Sequence, residues 1–233
     1  MTDTPGAVTV PARLALGGTL FYAGVMYIAF AVIQPELNPL YRYGSEYAVG
    51  RLGWLMKLAF WVWGGGMAAL AFAMVKGLDR KARSIPAILL FVVGGAGVFT
   101  AGVFDSDLQI RNDDPPPAWI EAPPSRDQMW HGAAGTVGLL SLMAGAGFAT
   151  RRLRRAGRLG SRYRALRILA WLTPVGFVAF LILVPYGFAG LGQRIFLGLM
   201  FAWQVMAAWG LAQGAFTPRA DSTDSPAGLS AVR

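Results

Sequence analysis

The chain has 233 residues, of which 55% are hydrophobic and 14% charged, and it contains no cysteine. A soluble domain averages about 25% charged residues, so this composition excludes an ordinary soluble protein. The missing cysteines exclude disulfides and thiolate metal sites within the chain.

Six apolar segments follow one another along the chain, and each is close to the roughly 20 residues that a helix needs to cross a bilayer. They predict an all-α, polytopic membrane helix bundle with six transmembrane helices. The predicted spans are Leu14–Ile33, Leu52–Val75, Ile85–Phe104, Trp130–Thr150, Ile168–Gly187 and Ile195–Phe216. We divide the chain into a cytoplasmic N-terminal segment at 1–11, a six-span membrane domain at 12–216 and a disordered cytoplasmic tail at 217–233.

The connections between these segments alternate in charge. Residues 76–84 carry four basic side chains and one acid, and residues 151–167 carry eight arginines and no acid. The intervening connection, 105–129, has six acids, two arginines and five prolines, which predicts an extended acidic loop. Because basic loops stay in the cytoplasm, we expect both termini there, and the acidic loop on the outer side of a bacterial inner membrane.

The net charge of +9 is explained by this topology, so no nucleic-acid partner is expected. The expected partners are membrane lipids, with anionic head groups at the two basic loops. No cofactor is predicted.

Several features within the predicted spans have both a structural and a functional explanation. Small residues at 64–66, 94–97 and 132–135 favour close helix packing, and the alternative is space for a ligand or lipid. Lys57 either extends its ammonium group to the membrane surface or pairs with a buried acid. Gln204, in the last span, predicts a hydrogen bond between helices.

Four polar segments map to the predicted outer boundary of the membrane, and they contain Glu46, Asp107, His131 and Arg194. His131 is the only histidine in the chain. Ionisable groups near membrane depth tend to pair or to serve a function. We therefore predict that these four residues bind a ligand.

The same groups are compatible with several chemistries. His131 beside Asp107 could act as a general base, which makes this pair the candidate catalytic residues. Asp105, Asp107 and His131 could bind a divalent metal, and Arg194 with His131 could hold a phosphate or carboxylate head group. The structural alternative is that these groups cap helices or join hairpins, through Asp107 with His131 or Glu46 with Arg194.

Four stretches of the sequence carry a resemblance to a known family. They are Asn38-Pro39-Leu40 with Gly44-Ser45-Glu46, then Gly102-Val103-Phe104-Asp105-Ser106-Asp107, then His131, and finally Gly192-Gln193-Arg194-Ile195. They resemble the bacterial six-helix membrane proteins called "domain of unknown function 998", over about residues 12–216. The chain departs from that family's Gly-x-Phe-Pro-x-Asp stretch, because Asp105 stands at the proline. The resemblance implies six helices and the same four candidate residues, and it implies no reaction.

Three functional hypotheses follow. The leading one is a non-enzymatic membrane protein that binds a lipid or small amphiphile at an outer polar cavity. The second is a membrane-embedded hydrolase, metal-assisted or not, that uses His131 as base and Asp107 to orient it or to bind the metal. The third is an accessory subunit whose helices pack against a partner membrane protein in a larger complex.

Overall fold

The computed structural model describes residues 6–108, 123–154 and 160–216. Within them the chain forms six main helices and no strand. Helix α1 combines Gly6–Gly24, a π-helical turn Val25–Ala29 and a final turn Phe30–Ile33; α2 is Gly53–Gly77, α3 is Ile85–Ala101, α4 is Arg126–Leu153, α5 is Gly160–Leu183 and α6 is Ala189–Ala212. Short 3-10 helices, Gly44–Ala48 and Val184–Tyr186, precede α2 and follow α5.

The helices have the length and composition of membrane spans. Five of them, all except α3, are long and apolar enough to cross a bilayer. Helix α3 is apolar but has only 17 residues, about 25 Å at 1.5 Å per residue, which is at the lower limit for a span. The prediction of an all-α membrane bundle is confirmed, and the chain is a multi-pass membrane protein.

The helix ends differ from the predicted spans because charged residues continue several helices beyond their apolar part. Helix α4 begins at Arg126, where the Ser125 hydroxyl accepts a hydrogen bond from the backbone N–H of Gln128 at 3.0 Å. Helix α6 begins at Ala189 rather than Ile195, and Gln193 and Arg194 therefore lie inside it.

Helix α1 begins at Gly6, within the predicted N-terminal segment 1–11. Two other predicted segments fall largely or wholly beyond the described residues. They are the acidic loop, of which most lies outside, and the tail at 217–233, of which all lies outside.

The six helices form a closed ring in chain order. Each packs against the next, and α6 packs back against α1. The contact between α4 and α5 is the loosest of these neighbouring pairs, and α5 is the least buried of the five long spans. We call the end of the ring where α1 ends and α2 begins the upper end, and the opposite end the lower end.

Glycines set the close contacts between the first four helices. A Cβ atom added at Gly95 would lie 2.6 Å from the carbonyl oxygen of Gly64, across the interface of α2 and α3. One added at Gly97 would lie 2.7 Å from the carbonyl oxygen of Ala134 in α4, and one at Gly18 would lie 2.8 Å from a carbonyl oxygen in α2. The packing explanation therefore holds for these glycines. Among the described residues, no glycine brings α4 and α5 comparably close.

The core also contains the predicted interhelical hydrogen bond of Gln204. Its side-chain oxygen accepts from the indole N–H of Trp63 at 3.0 Å and from the Thr19 hydroxyl at 3.3 Å. Gln204 is buried, so these bonds join α6 to α2 and α1 where no water competes.

Gly95→Ala should destabilise the bundle, because its methyl group would collide with backbone that cannot move aside. The expected loss of stability is about 1–3 kcal/mol, measured as thermal unfolding in detergent. The matched control is Gly65→Ala in α2, where an added Cβ meets no atom within 4 Å. Equal stability of the two variants would contradict the glycine contact.

Candidate functional site

A partly open cavity of about 170 Å³ lies inside the upper half of the ring. All six helices and the 34–52 connection contribute to its lining. Aromatic side chains form much of the wall, among them Tyr22 from α1, Trp63 from α2 and Phe180 from α5. Tyr22 and Trp63 also pack against each other, with ring centroids 4.6 Å apart. The cavity is therefore a largely apolar space bounded by rigid rings.

Helix α4 contributes one continuous stripe to this cavity. The stripe follows the three- and four-residue spacing of a single helix face. Its members are Gln128, His131, Gly132, Gly135, Thr136 and Leu139. A Cβ atom added at either of the two glycines would meet no atom closer than 3.9 Å. The small-residue patch at 132–135 therefore borders open space, in contrast to Gly64, Gly95 and Gly97.

His131 is held by the end of α3. Its Nδ1 atom lies 2.7 Å from the carbonyl oxygen of Ala101 and 3.2 Å from that of Phe104. Carbonyl oxygens only accept hydrogen bonds, so Nδ1 must be the donor. In the neutral ring Nε2 is then an acceptor, and it makes no hydrogen bond within the described residues. Because His131 lines the cavity, this leaves one acceptor available to a ligand.

Asp107 holds the start of α4 rather than His131. Its carboxylate accepts hydrogen bonds from the Ser125 hydroxyl at 2.7 Å and from the Ser125 backbone N–H at 2.8 Å. The backbone N–H of Asp107 donates to the side-chain oxygen of Gln128 at 2.9 Å. Between Asp107 and His131 the described residues show no hydrogen bond. The structure thus does not assemble the proposed general-base pair.

Asp105 forms an ion pair with Lys57, in which Nζ and Oδ1 are 2.5 Å apart. Lys57 therefore has an acid partner, although both side chains remain partly exposed. Nowhere in the described ranges do three or more His, Cys, Asp or Glu side chains form a group that could hold a metal. Asp105, Asp107 and His131 are accordingly not brought together as a metal site.

Glu46 is fully buried and pairs with Arg42, whose Nη1 lies 3.0 Å from Oε2. The other carboxylate oxygen accepts from the backbone N–H of Tyr43 at 3.1 Å. Arg42 was not among the predicted site residues, and its charge gave no signal because most arginines near a membrane surface are solvated. The pair stabilises the 34–52 connection from within.

Arg194 binds the same connection from α6. Its Nη1 donates to the carbonyl oxygens of Pro39 and Arg42, each at 2.7 Å, and its Nη2 donates to the Tyr47 hydroxyl at 3.0 Å. Burial raises the pKa of Tyr47 above its usual value, an effect that Arg194 partly offsets. Tyr47 therefore stays neutral and donates to the carbonyl oxygen of Leu37 at 3.2 Å. Arg194 acts here as a clamp on the loop.

Of the four predicted ligand-binding residues, only His131 lines the cavity. The sequence neighbours of the other three, Ser45, Ser106 and Gln193, line it in their place. Prediction from the sequence missed Gln128, although its position three residues before His131 places both on one helix face. It also missed Tyr22 and Trp63, for which an apolar span gives no signal.

Comparisons with known proteins identify the family of the chain and nothing more specific. Residues 15–210 match the model of a family described as "Protein of unknown function (DUF998)". No curated protein and no solved structure matches the chain.

Arg194→Ala should lower the stability of the protein whether or not a ligand is bound. The variant loses several hydrogen bonds from a charged donor, with an expected cost of about 2–4 kcal/mol in thermal unfolding. Arg51→Ala removes the same charge from an exposed position in the same connection and serves as control. If both variants unfold alike, Arg194 is not a clamp and is available to bind a ligand.

Proposed function

The chain belongs to the DUF998 family of proteins of unknown function, and we propose that it is a non-enzymatic membrane protein that binds a lipid or small amphiphile in the upper cavity. The observation that carries the proposal is the combination of an apolar, aromatic wall with a few polar groups that still have hydrogen-bonding capacity. Such a combination is typical of small-molecule sites, in which polar groups orient a largely apolar ligand.

The size of the cavity limits what it can enclose. Its volume of about 170 Å³ is below the range of roughly 300–1,000 Å³ for sites that bury a whole drug-sized molecule. A lipid would therefore place only its polar end and the first part of its chain inside. The rest would have to extend beyond the ring.

The interface of α4 and α5 offers a route for that extension. It is the loosest interface between neighbours in the ring, and Thr136 both lines the cavity and is exposed on the side of the bundle. Gly132 and Gly135 keep the adjacent surface of α4 free of side chains. An acyl chain could pass here into the bilayer without leaving an apolar environment.

We further propose that the protein lies in a bacterial inner membrane, with its lower end and both termini in the cytoplasm. The lower end presents exposed basic side chains, and these attract anionic head groups of the cytoplasmic leaflet. The exposed members are Lys76, Arg80, Lys81, Arg151, Arg154, Arg164 and Arg167.

Single cysteines at opposite ends test this orientation, because the chain has no cysteine of its own. Glu36→Cys and Asp79→Cys each replace one exposed acid, at the upper and lower end respectively. A membrane-impermeant thiol reagent applied to intact cells should label residue 36 at once and residue 79 only after permeabilisation. The reverse labelling pattern would show that the protein has the opposite orientation in the membrane.

Gly135→Leu should reduce lipid binding, because its side chain would enter the cavity. We expect at least a several-fold loss of bound lipid, measured by native mass spectrometry after incubation with a bacterial total lipid extract. Gly147→Leu is the matched control, since it adds the same side chain to α4 at a position with no atom within 4 Å and outside the cavity lining. Undiminished binding by Gly135→Leu would refute the proposed function.

A further inference from the structure

The lining of the upper cavity carries no formal charge in the residues that the structure describes. It includes no Asp, Glu, Lys or Arg side chain, and its polar members are hydroxyl groups, amides and His131. Building on the proposed function, we propose that the ligand is an amphiphile whose polar end is uncharged and bears a hydroxyl group, as in a diacylglycerol.

The charged groups around the cavity are committed to other partners. Glu46 pairs with Arg42, and the Asp107 carboxylate caps the start of α4. Lys57 pairs with Asp105, and Arg194 donates to the carbonyl oxygens of the 34–52 connection. An ionised phosphate or carboxylate in the cavity would lose its hydration without gaining a counter-ion, and this is costly in an apolar environment.

The orientation of two glutamine side chains is fixed by what their oxygens accept. The Gln128 oxygen accepts from the backbone N–H of Asp107 at 2.9 Å and from the Ser106 hydroxyl at 3.0 Å. The Gln193 oxygen accepts from the backbone N–H of Gly44 at 2.8 Å. A backbone N–H cannot accept, so the amide groups cannot be reversed. The oxygen of each glutamine is therefore occupied, the NH2 group takes no part in these bonds, and both residues line the cavity.

His131 supplies the complementary function. Its Nδ1 donates to the carbonyl oxygen of Ala101, so Nε2 of the neutral ring accepts. A ligand hydroxyl both donates and accepts, and it can therefore bond to His131 and to an amide of Gln128 or Gln193 at once. A ketone, ester or ether oxygen only accepts and would leave Nε2 without a partner, which is unfavourable in a buried site.

The test uses three ligands with identical acyl chains. They are dioleoylglycerol, its methyl ether at the free hydroxyl, and dioleoylphosphatidic acid. Each is added to the purified full chain, and binding is measured by native mass spectrometry. Only binding that is lost in Gly135→Leu and kept in Gly147→Leu counts as cavity binding. This criterion excludes phosphatidic acid that binds to the basic side chains of the lower end.

We expect cavity binding of dioleoylglycerol to exceed that of the methyl ether by about tenfold, the effect of roughly one hydrogen bond. It should exceed that of the phosphatidic acid at least as strongly, because the phosphate would lose its hydration without gaining a counter-ion. In His131→Phe the preference for the free hydroxyl over the ether should fall towards one. If His131 had only a structural role, the substitution would change the affinities for the hydroxyl and the ether ligand alike and leave their ratio unchanged.

The outcomes separate the two proposals. Cavity binding that favours phosphatidic acid, or that does not distinguish hydroxyl from ether, would overturn the ligand class and leave the proposed function standing. If none of the three ligands, and no component of a bacterial lipid extract, shows binding that depends on Gly135, the proposed function itself fails.

Discussion

Close approach of backbones at glycine is the constraint on which the rest of this bundle depends. In lipid, helices gain little from burying apolar side chains, so contact area and dispersion decide which faces meet. Gly64, Gly95 and Gly97 allow α2, α3 and α4 to pack at backbone distance. Helix α5 has no such contact with α4, and the ring is weakest there. The position of the loose interface is thus a consequence of where the glycines stand.

At the upper end of the ring, the charged side chains pair with nearby groups and do not line the cavity. Arg42 and residues 44–47 of the 34–52 connection are buried, and buried carbonyl oxygens need hydrogen-bond donors. Arg194 supplies several of these donors, and the buried pair of Arg42 and Glu46 neutralises itself within the loop. Because these groups are used for the loop, the space that they surround can remain uncharged.

Much of the fold could be predicted from the sequence, because hydropathy and the charge of the connections are properties of single segments. The helix type and number followed from them, and so did a role for Gln204 between helices. The helix ends were less predictable, since a helix continues through charged residues such as Arg126 as readily as through apolar ones.

The site was predictable only in part, because it depends on which residues meet across the ring. Of the four candidate residues, His131 lines the cavity. The grouping of Asp107 with His131 was not found, since Ser125 lies nearer to Asp107 and offers two donors. A single sequence does not show such competition between partners. Nor does it distinguish Gly135, which borders space, from Gly97, which packs against α4.

The length of α3 connects the fold to the chemistry of the cavity. Any helix leaves its last carbonyl groups without partners in its own backbone. Helix α3 ends at Ala101, and the carbonyl oxygens of Ala101 and Phe104 are close to Nδ1 of His131. They fix the tautomer of the neutral ring and leave Nε2 as the acceptor. A longer α3 would use the Ala101 carbonyl for its own hydrogen bond, and His131 would lose the contact that orients it. The shortest helix of the bundle therefore determines which ring nitrogen of the single histidine is left to accept a hydrogen bond.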